Sequence, residues 1–553
     1  MSEHRSEAQR QVIVRPELIE QARRWIGDDP DAADAAELQA ILDRAPQEQA
    51  AADELADRFT GPLTFGTAGL RGPLRAGPNG MNTAVVRLAA AGIAAQLQDA
   101  GLAGGIVVIG YDGRHRSRAF AQDSAAVFAA AGFDARLLPR LLPTPVLAFA
   151  VGRLGAAAGV MVTASHNPPQ DNGYKVYAAD GAQIVPPTDS QIEAQIRAVT
   201  SARAIPLSQN YSVLGESIVE DYINAIAGLV DPDAPRELKL VHTAMHGVGT
   251  EVVRAVFAAA GFAAPHEVAE QAEPDPDFST VAFPNPEEPG AMDLALALAG
   301  RIEADLIIAN DPDADRCAVG APFPGTGWRM LRGDEVGALL ADWLLRKGIR
   351  GTYATTIVSS TLLSVIAAKH GVPFAETLTG FKWISRAAPD LAYGYEEALG
   401  YAVAPELVRD KDGISAALLI AELAATLKAD GSSIPARLAE LAAEYGLFAT
   451  KQLSWRVEDL SLIGDAMARL RANPPRQLLG KPVTVTDLAP DNDVLILRIH
   501  GGRAVVRPSG TEPKCKAYLE LVIADATELA GAEARAAAGL TELGDELSAV
   551  LAF

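Results

Sequence analysis

Cysteine is nearly absent: Cys317 and Cys515 stand far apart in a chain of 553 residues. Two such residues make neither a disulfide framework nor a cysteine-based zinc site. They suit a reducing, cytoplasmic compartment. Basic residues are outnumbered, with 48 Lys and Arg against 70 Asp and Glu, for a net charge of −22. A chain so charged offers no long basic stripe for nucleic acid, and an acidic membrane surface repels it. No nucleic-acid or membrane partner is therefore expected. Long apolar runs are missing too. The most apolar region, about residues 141–164, is interrupted by Pro143, Pro145 and Arg153, so no membrane span is predicted. The opening Met1-Ser2-Glu3-His4-Arg5 leads into polar sequence without the apolar core of a signal peptide.

What is present describes a large globular chain. Apolar residues make up 49% and charged residues 21%, enough to fill several cores. The length fits about three to four domains of roughly 150 residues. Residues 1–60 read as an Ala-rich helical arm with Leu38, Ile41 and Leu42 on one face. Beyond it, Gly105–Gly110, Leu238–His242 and Thr352–Val358 are short β-branched runs, each followed by a polar loop and a helical pattern. That is the sign of βα units around parallel sheets. The predicted division is 61–205, 215–322 and 331–450 as similar α/β domains, with 483–553 as a smaller α+β domain. Linkers are predicted near 203–216, 321–333 and 472–490, where Pro, Gly and polar residues gather.

Five short segments carry chemistry. After the strand-like Leu306–Ala309 come Asp311, Asp313 and Asp315 at alternate positions, with Pro312 excluding a regular helix. On an extended backbone alternate side chains share a side, and three carboxylates there call for a hard cation, Mg²⁺ or Ca²⁺. A calcium loop needs Gly at position six and Glu at twelve; Arg316 and Pro322 stand there instead. In Thr163-Ala164-Ser165-His166-Asn167-Pro168 a hydroxyl nucleophile sits beside an imidazole where a buried strand should emerge into solvent. An Asn172-Gly173 turn and the cation Lys175 are predicted to follow. The elbow G-x-S-x-G is absent there, so an α/β-hydrolase triad is not supported.

Arg507-Pro508-Ser509-Gly510-Thr511 ends a strand-like run and is followed by Lys514. Backbone amides around the glycine, two hydroxyls and a guanidinium make an anion nest suited to phosphate, although the Walker pattern is missing. Gly66-Thr67-Ala68-Gly69-Leu70-Arg71-Gly72 is a pliable glycine loop bearing a cation, without the dinucleotide pattern. Thr379-Gly380 and Glu396-Glu397 sit among glycines, and a carboxylate there can accept two hydrogen bonds from sugar hydroxyls.

These segments, in this order from about residue 60 to the C-terminus, resemble the α-D-phosphohexomutase superfamily. The flanking text, including His246-Gly247-Val248-Gly249 and Phe283-Pro284-Asn285-Pro286-Glu287, looks most like its phosphopentomutase/phosphoglucomutase-2 branch. The resemblance implies a four-domain enzyme, three α/β domains and a smaller fourth, lining one cleft. It implies a phosphosugar mutase, best read as a phosphoglucomutase or phosphopentomutase, with phosphomannomutase as the alternative. Ser165 matches the phosphorylated serine, and Asp311, Asp313 and Asp315 match the Mg²⁺ ligands, with an oxygen of phosphorylated Ser165 completing the shell. Arg316 matches a residue near the transferring phosphoryl. Arg71, His166, Lys175 and Lys411 match cleft positions, with His166 or Lys175 handling the proton. Glu396, with Thr379 and Gly380, matches the sugar loop; Arg507, Ser509, Gly510 and Thr511 match the loop gripping the non-reacting phosphate. A sugar bisphosphate is implied as intermediate and activator. Many members carry Glu-x-Ser at the sugar loop, whereas this chain has Glu396-Glu397-Ala398. The missing hydroxyl weakens discrimination against sugars that lack its partner and keeps pentose phosphates open. A metal-dependent phosphatase and a non-catalytic sugar-phosphate-binding paralogue are the competing readings. The presence of Ser165 and all three aspartates speaks against the second.

Overall fold

The computed structural model describes residues 13–66, 69–457, 459, 461–509 and 514–551. They form two compact units: 13–230 with 239–317 and 406–415, and 231–238 with 318–405 and 416–551.

The first unit begins with three helices, Pro16–Asp28, Ala32–Arg44 and Gln49–Arg58, packed on their own core of Leu18, Ala22, Leu38, Ile41, Leu42 and Leu55. Pro16 starts the first, where a missing N–H costs nothing, and Asp31 caps the second through Ala33 N. A six-stranded sheet follows, in the order Leu70–Pro73, Asp171–Ala178, Ala158–Val162, Ile106–Tyr111, Asp134–Leu137, Ser212–Val213. The last four are parallel and the first two antiparallel. Its core holds Val107, Ile109, Val160, Val162, Phe120 and Phe128. A smaller parallel set joins Leu240–Thr243 to His266–Glu267 and Leu306–Ala309.

The second unit contains the hairpin Ala318–Phe323 and Gly327–Met330, and a sheet in which Thr352–Thr356 lies between Phe374–Thr377 and Leu391–Glu396, all parallel. Gly400–Ala402 adds an antiparallel edge. An antiparallel sheet of Leu447–Arg456, Lys514–Ile523, Gly502–Pro508, Leu495–Ile499 and Thr484–Asp487 packs against the helix Leu529–Leu551 through Leu519, Leu540, Leu543 and Leu547. The α/β class with a C-terminal α+β part is what the alternating patterns predicted.

One local expectation needs correction. Asn172-Gly173 is no turn: both residues lie inside the strand Asp171–Ala178. Gly173 is there because a Cβ would stand 2.5 Å from Thr163 O and 3.0 Å from Leu70 O, between two neighbouring strands. The predicted linkers carry short elements of their own: 321–333 holds Gly327–Met330 and the end of Ala318–Phe323. Likewise 203–216 ends in the edge strand Ser212–Val213, and 472–490 holds a small hairpin and the strand Thr484–Asp487. Pro and Gly there mark turns beside these short elements.

Candidate active site

The site is built in the first unit from loops at the carboxyl ends of parallel strands, the usual place for ligands in α/β sheets. Ala158–Val162 is wholly buried, and Ser165 follows it with φ 51. Ser165 does not emerge into solvent. It is 2% exposed, and its amide donates to Thr163 Oγ1 at 2.9 Å. The Oγ donates to Asp311 Oδ2 at 2.8 Å and lies 3.2 Å from His166 Nδ1. Pairing of Met161 with Lys175 brings the lysine's strand alongside.

The three aspartates follow Leu306–Ala309 and are 0% exposed. Their carboxylates converge within 4.8 Å, but not by strand alternation. Pro312 and Asp313 form a turn, Ala314 takes φ 54, and its amide donates to Asp311 O at 2.8 Å. A turn thus folds the carboxylates onto one point.

Buried like charges need partners, and most come from distant parts of the chain. Lys175 Nζ donates to Asp313 Oδ2 at 2.6 Å and Asp315 Oδ2 at 2.8 Å. Lys411 Nζ stands 3.2 Å from Asp315 Oδ2. Thr144 donates to Asp313 twice, from Oγ1 to Oδ2 at 2.6 Å and from its amide to the carbonyl at 2.9 Å. It opens the helix Thr144–Leu154, whose positive end favours an anion. Arg316 N donates to Asp311 Oδ1 at 3.1 Å, and its Nε is 3.9 Å from Asp315 Oδ1. Arg71 Nη1 donates to Asn167 Oδ1 at 3.1 Å.

The charges move the titrations accordingly. Burial, then Asp313 and Asp315, push Asp311 well above the usual carboxylate range. Burial also works against ionised Asp313 and Asp315, but Lys175 outweighs it for the first, and Lys175, Lys411 and Arg316 for the second, so both are held low. Burial lowers Lys175, yet Asp313 and Asp315 carry it above its ordinary value. Burial and the charges of Arg316 and Arg71 push His166 well below its usual range.

The donor set fits a hard divalent cation. Lysines and Thr144 occupy the Oδ2 atoms of Asp313 and Asp315, while their Oδ1 atoms are buried without a hydrogen-bond partner. All-oxygen donors of this kind suit Mg²⁺.

Two contributors escaped the motif reading. Thr144 opens an unremarkable apolar helix, and only its Pro143-Thr144-Pro145 start hints at a helix N-terminus. The other is the frame around the expected Lys411, where Asp410 and Asp412 are stitched into this unit at three points. Asp410 Oδ2 accepts from Tyr177 OH and Gln183 Nε2, both at 2.8 Å, and Asp412 Oδ1 from Tyr222 OH at 2.9 Å. Gly413 lies where a Cβ would be 2.1 Å from Arg316 O.

The remaining predicted residues belong to the second unit. Thr379 and Gly380 follow Phe374–Thr377, and Glu396 ends Leu391–Glu396. Both loops leave the carboxyl edge of one sheet, on either side of Thr352–Thr356. Glu397 accepts from Thr356 Oγ1 at 3.2 Å and Ser359 Oγ at 3.0 Å. Burial, Glu396 and Asp334 push its carboxyl up to about 7. Arg507 is near the end of Gly502–Pro508, and Ser509 N donates to Lys514 O at 2.7 Å. Gly510 and Thr511, like Thr67 and Ala68 of the glycine loop, lie outside the described residues.

Comparison with known proteins agrees with this arrangement. Sequence models of phosphoglucomutase/phosphomannomutase match in chain order: α/β/α domain I over 62–203, domain II over 220–322, domain III over 332–445, and the C-terminal domain over 456–538. The chain belongs to this family, and so to the α-D-phosphohexomutase superfamily of phosphosugar mutases, which are isomerases. Among its relatives is a Haemophilus influenzae protein named "Probable phosphomannomutase", 48% identical over 453 residues, covering 80% of this chain and 93% of that one. The phosphopentomutase of Mus musculus is 36% identical over 532 residues, covering 85% of each. A crystal structure described as a "putative phosphomannomutase" from Thermus thermophilus aligns with a TM-score of 0.68 at 29% identity, covering 87% of this chain and 99% of that one.

Proposed function

We propose that this mutase interconverts a sugar 1-phosphate with its 6-phosphate, or its 5-phosphate for a pentose, through phosphorylated Ser165 and a sugar bisphosphate. The observation that carries the reading is the Ser165 Oγ at 2.8 Å from Asp311 inside a buried carboxylate cluster. A serine so placed is shielded from water and surrounded by cationic groups, as a stored phosphoryl group requires.

In the first transfer a sugar hydroxyl oxygen bonds to phosphorus as the Ser165 Oγ–P bond breaks. The hydroxyl proton passes to a neighbouring base, and His166 is the imidazole beside Oγ. The bisphosphate turns over and returns its other phosphoryl to Ser165, which leaves the isomeric monophosphate. Asp311, Asp313 and Asp315 would hold Mg²⁺, which supplies Lewis-acid stabilisation of phosphoryl charge when bound. Lys175, Arg316, Lys411 and Arg71 balance charge at the same point. Glu396 with Thr379 and Gly380 orients the sugar, and Arg507, Ser509, Gly510 and Thr511 grip the phosphate that is not reacting. In this reading 61–205 carries the serine, 215–322 the metal loop, 331–450 the sugar loop and 483–553 the phosphate loop. Glucose and pentose phosphates are the leading substrates, because Glu397-Ala398 lacks the serine hydroxyl that would demand one sugar hydroxyl. Mannose phosphate is the alternative that the Haemophilus relative supports. No helix of the described residues is long and apolar enough to cross a membrane, which fits work on small phosphosugars in the cytoplasm.

Ser165→Ala should abolish isomerisation of glucose 1-phosphate while Mg²⁺ still binds; near-normal turnover would sink the phosphoserine route. Comparing kcat/KM for glucose, mannose, ribose and deoxyribose 1-phosphates, with bisphosphate present, ranks the sugars. Release of inorganic phosphate without isomer would instead mark a phosphatase.

A further inference from the structure

Ile106–Tyr111 and Ala158–Val162 are parallel neighbours, so the loops leaving their carboxyl ends run side by side. One carries Ser165. The other, Asp112–Arg116, is joined to it from the start by Asp112 N donating to Val162 O at 3.1 Å.

Arg114 in this second loop is 4% exposed. Its guanidinium donates to four carbonyls of the serine loop: Ser165 O at 2.6 Å, Asn167 O at 2.5 Å, Pro168 O at 2.8 Å and Asp171 O at 3.1 Å. Its face rests over the Phe278 ring, with the guanidinium carbon 4.8 Å from the centroid. Asp112 backs it, accepting from Arg114 N at 3.0 Å and Ser117 Oγ at 2.6 Å. A rigid planar fork bonded to several carbonyls of one loop holds that loop's backbone. It fixes the left-handed conformation from which Ser165 presents its Oγ.

Two residues on, Arg116 is itself left-handed, with φ 64, a conformation a long side chain takes only when its surroundings enforce it. Here the N-terminal helices enforce it. Asp34 grips the guanidinium with both oxygens, at 2.6 and 2.8 Å, and Asp31 Oδ2 adds a contact at 2.8 Å. Thr83 Oγ1 accepts at 2.9 Å.

We propose that the helical arm Pro16–Arg58 is a positioning element of the catalytic site. Asp31 and Asp34 fix Arg116 and its loop, and Arg114 in that loop fixes the backbone carrying Ser165. Arg114 and Arg116 are positioning residues, and the inference rests on Ser165 being the phosphoryl carrier. A displacement of about 1 Å at a reacting group costs on the order of a hundredfold in rate. Loosening the clamp should therefore lower kcat and leave KM almost unchanged.

The test uses the full chain with Arg116→Gln, Arg116→Lys and the double variant Asp31→Asn/Asp34→Asn. Asp28→Asn is the control. Asp28 secures the arm elsewhere, accepting from Ser201 Oγ and, at 2.7 Å, from Ala202 N. Each protein is assayed well below its own Tm for kcat, KM, and Ser165 phosphorylation after incubation with glucose 1,6-bisphosphate. We expect kcat to fall about tenfold or more in Arg116→Gln and in the double variant, with KM within about twofold. Arg116→Lys should recover part of the loss, and Asp28→Asn should lower Tm without lowering kcat. Unchanged kcat in Arg116→Gln and the double variant overturns the positioning role. So does a fall in Asp28→Asn as large as theirs. A wild-type Ser165 that takes up no phosphoryl group overturns the underlying reading instead.

Discussion

Replacing Lys175 by Met keeps most of the side chain's length and removes its charge from the centre of the carboxylate cluster. Lys175 is 6% exposed and donates to both Asp313 and Asp315. Without it, Asp313 keeps the Thr144 hydroxyl and Asp315 keeps Lys411 at 3.2 Å. Removing one partner of a buried ion pair costs about 3–5 kcal/mol, and the surviving Lys411 places this case near the lower figure. At roughly 2–4 °C per kcal/mol for a domain of 150–250 residues, the loss reads as on the order of 6–12 °C in Tm. The measurement is thermal unfolding of wild type and variant in chelator and then with Mg²⁺. The cation should recover more Tm in the variant, because it supplies positive charge to a cluster that has lost some; a ligand at a hundred times its Kd contributes about 2.7 kcal/mol. Turnover should be nearly lost even with Mg²⁺, since the ammonium beside the phosphoryl group is gone. A variant with wild-type Tm in chelator, or Tm values blind to Mg²⁺ in both proteins, refutes the reading of the cluster as a metal cage balanced by Lys175.

Gly413→Ala places a Cβ 2.1 Å from Arg316 O and 2.8 Å from Asn310 Nδ2. Overpacking of this kind costs about 1–3 kcal/mol; moving Arg316 and Lys411 together should also cut kcat, so wild-type kinetics would show that the 410–413 segment does not set the site. The raised Glu397 carboxyl gives a pH signature. With a folded pKa of about 7 against an ordinary 4.5, its stabilising proton is fully in place below about 4.5 and is lost as pH rises through about 7. Glu397→Gln should therefore stabilise the protein relative to wild type at pH 8 more than at pH 5 in urea unfolding; a difference independent of pH disproves the shift.

The candidate groups were legible because each is a short local pattern. Three aspartates at alternate positions after an apolar strand, a hydroxyl next to an imidazole, and glycine among cations each point to a candidate chemistry within a few residues. The α/β class was legible too, since β-branched runs alternating with helical patterns reflect burial on both faces of a sheet. Tertiary structure decided how these groups are held. Ala314's left-handed turn, not strand alternation, gathers the carboxylates. Asn172-Gly173, with the composition of a turn, is pressed into a strand because Thr163 and Leu70 flank it. Lys175 meets Asp313 across 138 residues, Thr144 across 169, and Arg116 meets Asp34 across 82. No local propensity encodes such pairings. The sequence by itself determined which candidate groups the chain carries. Only the packing of its strands and loops, where burial makes every charge seek a partner, decided which distant residues neutralise, orient and brace them.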